Sequence, residues 1–271
     1  MSSMDPSLRQ KIASRLRPES VGSYSDERGQ FVVKEFPVAE VQTDFLNGLK
    51  DRIKRRLGWL YPTLIRLLSP VYEEDPVPRF LSSAPADAFI VNLGSGTHAY
   101  PATVNVDGVG YSNVHVVCDL EVLPFSDESV DRLLSIAVLE HVSEPERHIA
   151  EFRRVLKPGG SLLVYIPFLQ PFHASPHDYR RYTDAGMRQL FSDFNQEVVK
   201  VGGGPTSALI WTLQEWLAMT LSFGSLRLYH ALQPLFWILS PLKLFDFFLT
   251  RHPAASIAAS GFYLEARKAD R

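Results

Sequence analysis

The rhythm of apolar and polar positions changes near Ala88. From there on, short apolar runs closed by glycine, aspartate or charge alternate with stripes of helical spacing. "AFIVNL" (88–93), "ATVNVD" (102–107), "NVHVVCDL" (113–120) and "VDRLLSIAVL" (130–139) have the length and β-branched content of buried strands. After them Ser143 and Glu146 stand at capping-box spacing, with Pro145 in the first turn. Ile149, Phe152, Val155 and Leu156 form the buried stripe of the helix they open, and "KPGG" is its stop. "SLLVYIP" (161–167) is the fifth strand. Thr183 caps a helix with the stripe Met187, Leu190, Phe191 and Phe194. "QEVVKVGG" (196–203) and "ASGFYLEARK" (259–268) are the sixth and seventh strands. Strands alternating with helices predict an α/β fold with a parallel, doubly wound, Rossmann-like sheet.

Two segments depart from this rhythm. Residues 1–86 form an N-terminal extension with one alternating run, "GQFVVKEFPV", of strand or hairpin character. In it Leu46, Leu49, Ile53, Leu57 and Leu60 line one side of a helix, and Lys50, Lys54, Arg55 and Arg56 lie largely off that stripe. This basic amphipathic helix is either packed on the core or a contact for anionic lipid or a phosphorylated substrate. Residues 205–250, inside the main domain of 87–271, are dense in Leu, Phe and Trp. Glu215, Arg227 and Lys243 interrupt them, and Pro234 and Pro241 are expected to cut them into short helices too broken to span a bilayer. The segment is a helical cap over the sheet or a monotopic membrane contact.

Composition narrows the classes. A formal net charge of −2 offers no global attraction for a polyanion, so nucleic acid is not an expected partner. The single cysteine, Cys118, excludes an internal disulfide or a cysteine-cluster metal site. "MSSMDPSLRQK" lacks the apolar centre of a signal peptide, and the expected location is cytoplasmic, at the inner face of the membrane if the apolar segments bind lipid.

The chemistry gathers around "IVNLGSGTHAYPATVNVDG" (90–108). Gly94 and Gly96 follow the first strand, where an open parallel sheet binds its ligands. Six residues, Thr97 to Ala102, separate Gly96 from the next strand run as far as Thr103, too few for a crossover helix. Without that helix and a third glycine, a pyrophosphate loses its anchor, whereas a cofactor made of ribose and base does not need it. Asp107 is placed to accept ribose hydroxyls and Asp119 to meet a base edge.

"VNLGSGT", "VDGVG", "VVCDLEVLPFSDESVDRLLSIAVLEHV" and "EFRRVLKPGGSLLVYIP" in this order resemble the class I S-adenosylmethionine-dependent methyltransferases, type 11 branch. The resemblance covers about 88–203 plus the last strand. It implies a seven-stranded sheet and S-adenosyl-L-methionine as cofactor. It places Gly94, Ser95 and Gly96 at the methionine part, Asp107 at the ribose, Asp119 with Leu120 at the adenine, and Ala137 near the methionyl group. Asn92, counted with them, stands where the family usually has an acid, and His98 where a later glycine is usual. Metal-assisted quinone-pathway relatives carry a glutamate where this chain has Ala137, so no metal is expected.

On the acceptor side, Glu140 and His141 in "VLEHV" end the fourth strand. The loop "PFLQPFHASPHDYRRYT" follows the fifth and resembles loops of bacterial methyltransferases of surface-glycan assembly. His141, His173 and His177 are candidate bases for a hydroxyl acceptor. Asp178, Tyr179, Arg180 and Arg181 are candidate acceptor contacts, the arginines for an anionic group; otherwise Asp178 simply pairs with an arginine. Pro176 argues against a helix that would set His173 and His177 on one metal. The leading expectation is O-methylation of a sugar, a glycolipid precursor, a lipid-linked glycan or a small hydroxylated metabolite. The alternatives are a degenerate methyltransferase fold acting as a partner-binding subunit, motivated by Asn92 and His98, and, less favoured, an NAD-type oxidoreductase.

Overall fold

The computed structural model describes residues 4–36, 67–72, 75–173 and 177–270. The basic amphipathic helix expected around 44–61 lies outside the described residues. Nine strands form one sheet: β1 (Tyr24–Ser25), β2 (Gln30–Val32), β3 (Ile90–Leu93), β4 (Val104–Asp107), β5 (Val116–Val117), β6 (Val130–Ile136), β7 (Leu156–Pro167), β8 (Asn195–Gly203) and β9 (Gly261–Arg267). Their order is β1-β2-β5-β4-β3-β6-β7-β9-β8. The seven expected strands are all present, and the "GQFVVKEFPV" run adds the edge hairpin β1–β2, with β2 parallel to β5. The order reverses between β3 and β6, so the carboxyl ends of β3, β4 and β6 open onto the crevice where such sheets take ligands.

The expectation of an all-parallel sheet is corrected at both edges, at one by the antiparallel β1–β2 hairpin and at the other by β9. β9 runs antiparallel to both β7 and β8. The reason lies in the ends of the insertion: Gly203, closing β8, is paired in register with Gly261, opening β9. The chain therefore leaves and re-enters the sheet at the same end, and a strand returning there runs antiparallel.

The residues of both halves of the chain share one core. Ile12 and Leu16 from the N-terminal segment pack with Phe89, Val91, Leu133, Leu162, Val164, Phe152, Phe191 and Phe262. α1 (Pro6–Ala13) is capped by Asp5, whose side chain accepts from the Ser7 and Leu8 amides. α2 (Pro18–Val21) and α3 (Val77–Ser82) are short. α4 (Pro145–Val155) buries Ile149, Phe152 and Val155 as expected, but Glu144 rather than Ser143 is its N-cap, and no side chain caps it. "KPGG" is not a loop: Leu156 already belongs to β7, and the four residues form a bulge between the Val130–Leu156 and Arg132–Ser161 pairs. Gly159, at φ +69°, supplies the left-handed residue this bulge needs. Thr183 caps α5 (Asp184–Leu190), accepting from the Gly186 amide at 3.1 Å.

The insertion consists of α6 (Pro205–Leu221), α7 (Leu226–Phe236), a 3-10 stretch (Trp237–Phe245) and α8 (Asp246–Leu249). The prolines do not cut it as expected. Leu226–Leu249 is one continuous helix, tightened to 3-10 geometry where Pro241 falls. It is 24 residues long and contains an 18-residue window of mean hydropathy 1.3, long and apolar enough by length and composition to cross a membrane.

Its polar groups are spent inwards. Gln214 on α6 donates to the Phe236 carbonyl (3.0 Å) and the Ser240 hydroxyl (2.9 Å). Lys243 reaches the Ser69 carbonyl. Asp246, fully buried, accepts from the Thr206 amide, the Ser207 amide and the Ser207 hydroxyl at 2.8, 2.8 and 2.6 Å. It is thus the N-terminal cap of α6, supplied from far along the chain, where the helix dipole favours an anion. Asp246→Ala orphans two amides and a hydroxyl at once. It is expected to cost roughly 3 kcal/mol, read as a lower denaturation midpoint at unchanged slope in urea titration.

Candidate active site

β3 runs straight into the glycine turn. Gly94 (φ +62°) and Gly96 (φ +52°) both lie in the left-handed region, and a Cβ at Gly94 would overlap the side chain of Val138. The connection to β4 contains no helix, as its length requires. Side chains hold it instead. The Gly96 amide donates to Asp107 Oδ2 at 2.7 Å, and the Val109 amide to Asp107 Oδ1 at 2.9 Å. Asn92 Nδ2 donates to Asn105 Oδ1 (3.1 Å), Asn105 Nδ2 to the Asn113 carbonyl (2.9 Å), and Asn113 Nδ2 to the carbonyls of Gly96 (3.0 Å) and His98 (3.2 Å). Asn92 therefore belongs to a buried amide relay under the turn, while His98 is exposed beside Tyr100.

The turn fits an adenosyl cofactor on two observations. The Cβ position of Gly96 faces open space, so a ligand can lie against the backbone there. The hydroxyl of Ser95 is buried without a hydrogen-bond partner. Asp107 accepts only one of those amide bonds on each oxygen, and a carboxylate oxygen has a second lone pair for a ribose hydroxyl. Burial pushes its carboxyl above the usual range, against the pull of the Val109, Gly96 and Gly108 amides. Asp119 is lowered: burial works upward, but Lys34, bonded at 2.6 Å, and the Glu121 amide outweigh it. Leu120 is half-buried against the core, and Ala137, at φ +55°, turns the chain after β6. Burial pushes the Cys118 thiol up, out of nucleophilic range.

None of the candidate site residues lies in the N-terminal extension, yet the structure brings two of its residues against Asp119 and Gly108. Lys34 pairs with Asp119, and its ammonium stands 5.0 Å from the Phe36 ring centroid. The Phe36 amide donates to the Gly108 carbonyl at 2.9 Å. The edge hairpin thus forms a wall beside Asp107 and Asp119. The alternation of "GQFVVKEFPV" was the available signal.

On the acceptor side, the three candidate histidines do not converge. His141 and His173 meet edge to face, 5.5 Å between centroids, with Glu140 fully buried beside them. The exposed His177 ring lies instead against Tyr179, and only its carbonyl reaches the cluster, accepting from His141 Nδ1 at 2.6 Å. His173 is raised above the usual imidazole value: burial opposes, but Glu140 and the Pro171 carbonyl prevail. Trp211 on α6, which sequence reasoning did not single out, packs on His173 at 5.5 Å, so the insertion roofs this cluster.

Of the two candidate arginines, Arg181 is occupied by the protein itself. Arg181 is spent on both oxygens of Asp178 and on the carbonyls of Gln170, Pro171 and Arg180. Asp178 also accepts from the His173 amide at 2.8 Å. Arg180 donates to the Ser143 carbonyl at 3.0 Å and approaches Glu146 at 3.5 Å. The Tyr179 amide donates to the Glu140 carbonyl at 2.8 Å. These residues frame the loop that presents His173. The Arg181 guanidinium, saturated by protein oxygens, has little left for a ligand, whereas the exposed Arg180 keeps unused donors. A cavity of about 930 Å³ opens between α4 and α5 and is lined by none of the turn or histidine residues.

Sheet order, switch point and glycine turn define a Rossmann-like fold of the class I methyltransferase kind. Residues 71–164 match a family model described as a methyltransferase domain. A probable tRNA methyltransferase 9B of Homo sapiens is 35% identical over 107 residues, covering 33% of this chain and 24% of that protein. An uncharacterized methyltransferase of Mycobacterium marinum is 30% identical over 166 residues, covering 46% and 64%. The chain thus spans about a quarter of the length of the tRNA methyltransferase relatives it matches. Haemonchus contortus phosphoethanolamine N-methyltransferase 2, solved with phosphomonomethylethanolamine and S-adenosylhomocysteine, superposes at a TM-score of 0.47 with 14% identity, over 85% of this chain and 59% of that one.

Asn113→Ala removes both donors that pin the turn. Hydrogen exchange at 96–99 is expected to rise and stability to fall by about 1–2 kcal/mol, read by exchange mass spectrometry and urea titration.

Proposed function

We propose that this chain is an S-adenosylmethionine-dependent methyltransferase acting on a hydroxyl of a lipid-linked sugar or glycolipid precursor, at the cytoplasmic face of a membrane. The observation that carries the reading is the glycine turn tied to Asp107 at the switch point, one residue contact (Gly94 to Val138) from the Glu140–His141–His173 cluster. The sulfonium donor is already activated, so the protein's work is to hold acceptor oxygen, methyl carbon and sulfur in line and dry. Gly94, Ser95 and Gly96 hold the methionine end, Asp107 the ribose and Asp119 with Leu120 the adenine. The Glu140–His141–His173 cluster is where the acceptor hydroxyl is activated for loss of its proton.

The acceptor class rests on the roof. The outer surface of α6 to α8 exposes Trp216, Leu235, Ile238, Phe245, Phe247 and Phe248, while Lys243 and Asp246 are turned inward. Only 17% of the apolar window in Leu226–Leu249 is buried. A monomer seldom exposes so broad an apolar surface without a use for it. It is the surface of a helix lying in a lipid interface, and the basic run Lys50, Lys54, Arg55, Arg56 adds attraction to anionic headgroups.

Calorimetric titration is expected to give tight binding of S-adenosylmethionine and S-adenosylhomocysteine, none of NADH, and a loss of roughly 100-fold in Asp107→Ala. Absence of adenosyl binding refutes the enzyme reading. In an acceptor screen with labelled cofactor, transfer to lipid-linked sugars is expected, and transfer to bulk tRNA instead overturns the acceptor class. In flotation with phosphatidylglycerol vesicles the protein is expected to co-float. Ile238→Ser/Phe245→Ser/Phe248→Ser, at about 1.5–3 kcal/mol per lost apolar side chain, is expected to reduce this at least tenfold.

A further inference from the structure

The side chains of Glu140, His141 and His173 place one donor atom each within 4.8 Å of one another, and both imidazole Nε2 atoms stand 3.7 Å from the same oxygen, Glu140 Oε1. The Glu140 side chain is fully buried, and neither of its oxygens accepts a hydrogen bond. A carboxylate so placed costs several kcal/mol unless something positive or hydrogen-bond donating meets it. The ring geometry does not point a donor at it. His141 Nδ1 lies 2.6 Å from the His177 carbonyl, and His173 Nδ1 lies 2.9 Å from the Pro171 carbonyl. A carbonyl only accepts, and at 2.9 Å the Pro171 carbonyl is nearer to His173 Nδ1 than the Arg181 guanidinium at 3.3 Å. With Nδ1 protonated toward the carbonyls, the bare Nε2 lone pair of each neutral ring turns to Glu140. One carboxylate and two nitrogen lone pairs therefore face a common point.

Two imidazoles and one carboxylate, each imidazole fixed through its other nitrogen by a carbonyl, form the donor set of an open zinc site. Donors on a tetrahedral zinc at about 2.0–2.1 Å stand about 3.4 Å apart. The two carboxylate–imidazole separations of 3.7 Å need to close by a few tenths of an ångström, and the two imidazole donors, within 4.8 Å of each other, by a side-chain adjustment. The surroundings are built rather than casual: Asp178, itself buried and clamped by Arg181, accepts from the His173 amide, and Trp211 packs on the His173 ring. Sequence spacing suggested His173 and His177 as the pair to consider. The fold instead pairs His173 with His141, through the loop that returns over the end of β6.

We propose that Glu140, His141 and His173 bind a divalent transition-metal ion, zinc first among them, with its open position toward the partly exposed side of the two histidines. Its chemical role rests on the methyltransferase reading. The open position takes the acceptor hydroxyl, and the ion lowers the pKa of that hydroxyl so that its proton leaves to water. The oxygen lone pair then forms the O–CH3 bond as the C–S bond breaks. The bonding electrons stay on sulfur, and the sulfonium becomes a neutral thioether.

The metal-stripped full chain, titrated with Zn2+ against a chromophoric chelator, is expected to bind one ion in the micromolar range or tighter. Co2+ in its place gives the visible absorption of a four-coordinate site. Glu140→Gln, His141→Ala and His173→Ala are each expected to weaken binding at least 100-fold while keeping a cooperative thermal transition. His177→Ala, whose ring is outside the cluster, binds as the parent does. Asp107→Ala loses the adenosyl cofactor but keeps the metal, so failure of the methyltransferase reading and failure of the metal site are read separately. Uptake of no zinc, or equal affinity in Glu140→Gln and in the parent, overturns the site. So does nitrogen-15 NMR showing His173 doubly protonated in excess Zn2+, which assigns the compensating charge to a proton.

Discussion

The hydrogen bond from the Gly96 amide to Asp107 is the constraint on which the cofactor half depends. A parallel pair of strands normally needs a helix to carry the chain back, and β3 and β4 do without one. A connection that short has few backbone partners of its own, and its amides and carbonyls must still be satisfied. Asp107 and the relay Asn92–Asn105–Asn113 satisfy them, so the carboxylate placed for the ribose also closes the turn that receives the methionine end. Gly94 then packs tightly against Val138, fixing the distance from this turn to the end of β6 and so to the histidines.

The acceptor half is organised by different means. Its loop is not held by the sheet but by Arg181, whose planar donors bind Asp178 and three carbonyls at once. That clamp commits Arg181 and Asp178 to each other, the alternative that their spacing in sequence left open. A loop rich in charged groups looks like a binding surface in sequence, yet charges facing each other within a few residues satisfy one another first.

The strands and the glycine turn were legible because they are local: apolar runs, left-handed positions and the length of a connection are written in consecutive residues. The carboxylates at strand ends were legible for the same reason. What was not legible depends on pairing at a distance. Lys34 meets Asp119 only because an edge hairpin joins the sheet beside β5. His141 meets His173, and His177 does not, because the loop folds back over β6. Pro234 and Pro241 signal breaks, but packing along α6 and a 3-10 stretch kept the helix continuous. The antiparallel direction of β9 followed from where the insertion begins and ends, which no periodicity records.

The pairing of Gly203 with Gly261 has a wider consequence. The two ends of the roof are stapled side by side by the sheet, so its length hardly enters the cost of closing the chain, which grows only logarithmically. A segment attached in this way is a module. Its sequence is free to drift, lengthen or be exchanged while the strands beneath keep their register, and a lineage of such chains would be expected to retain one donor pocket while trading roofs, and with them acceptors.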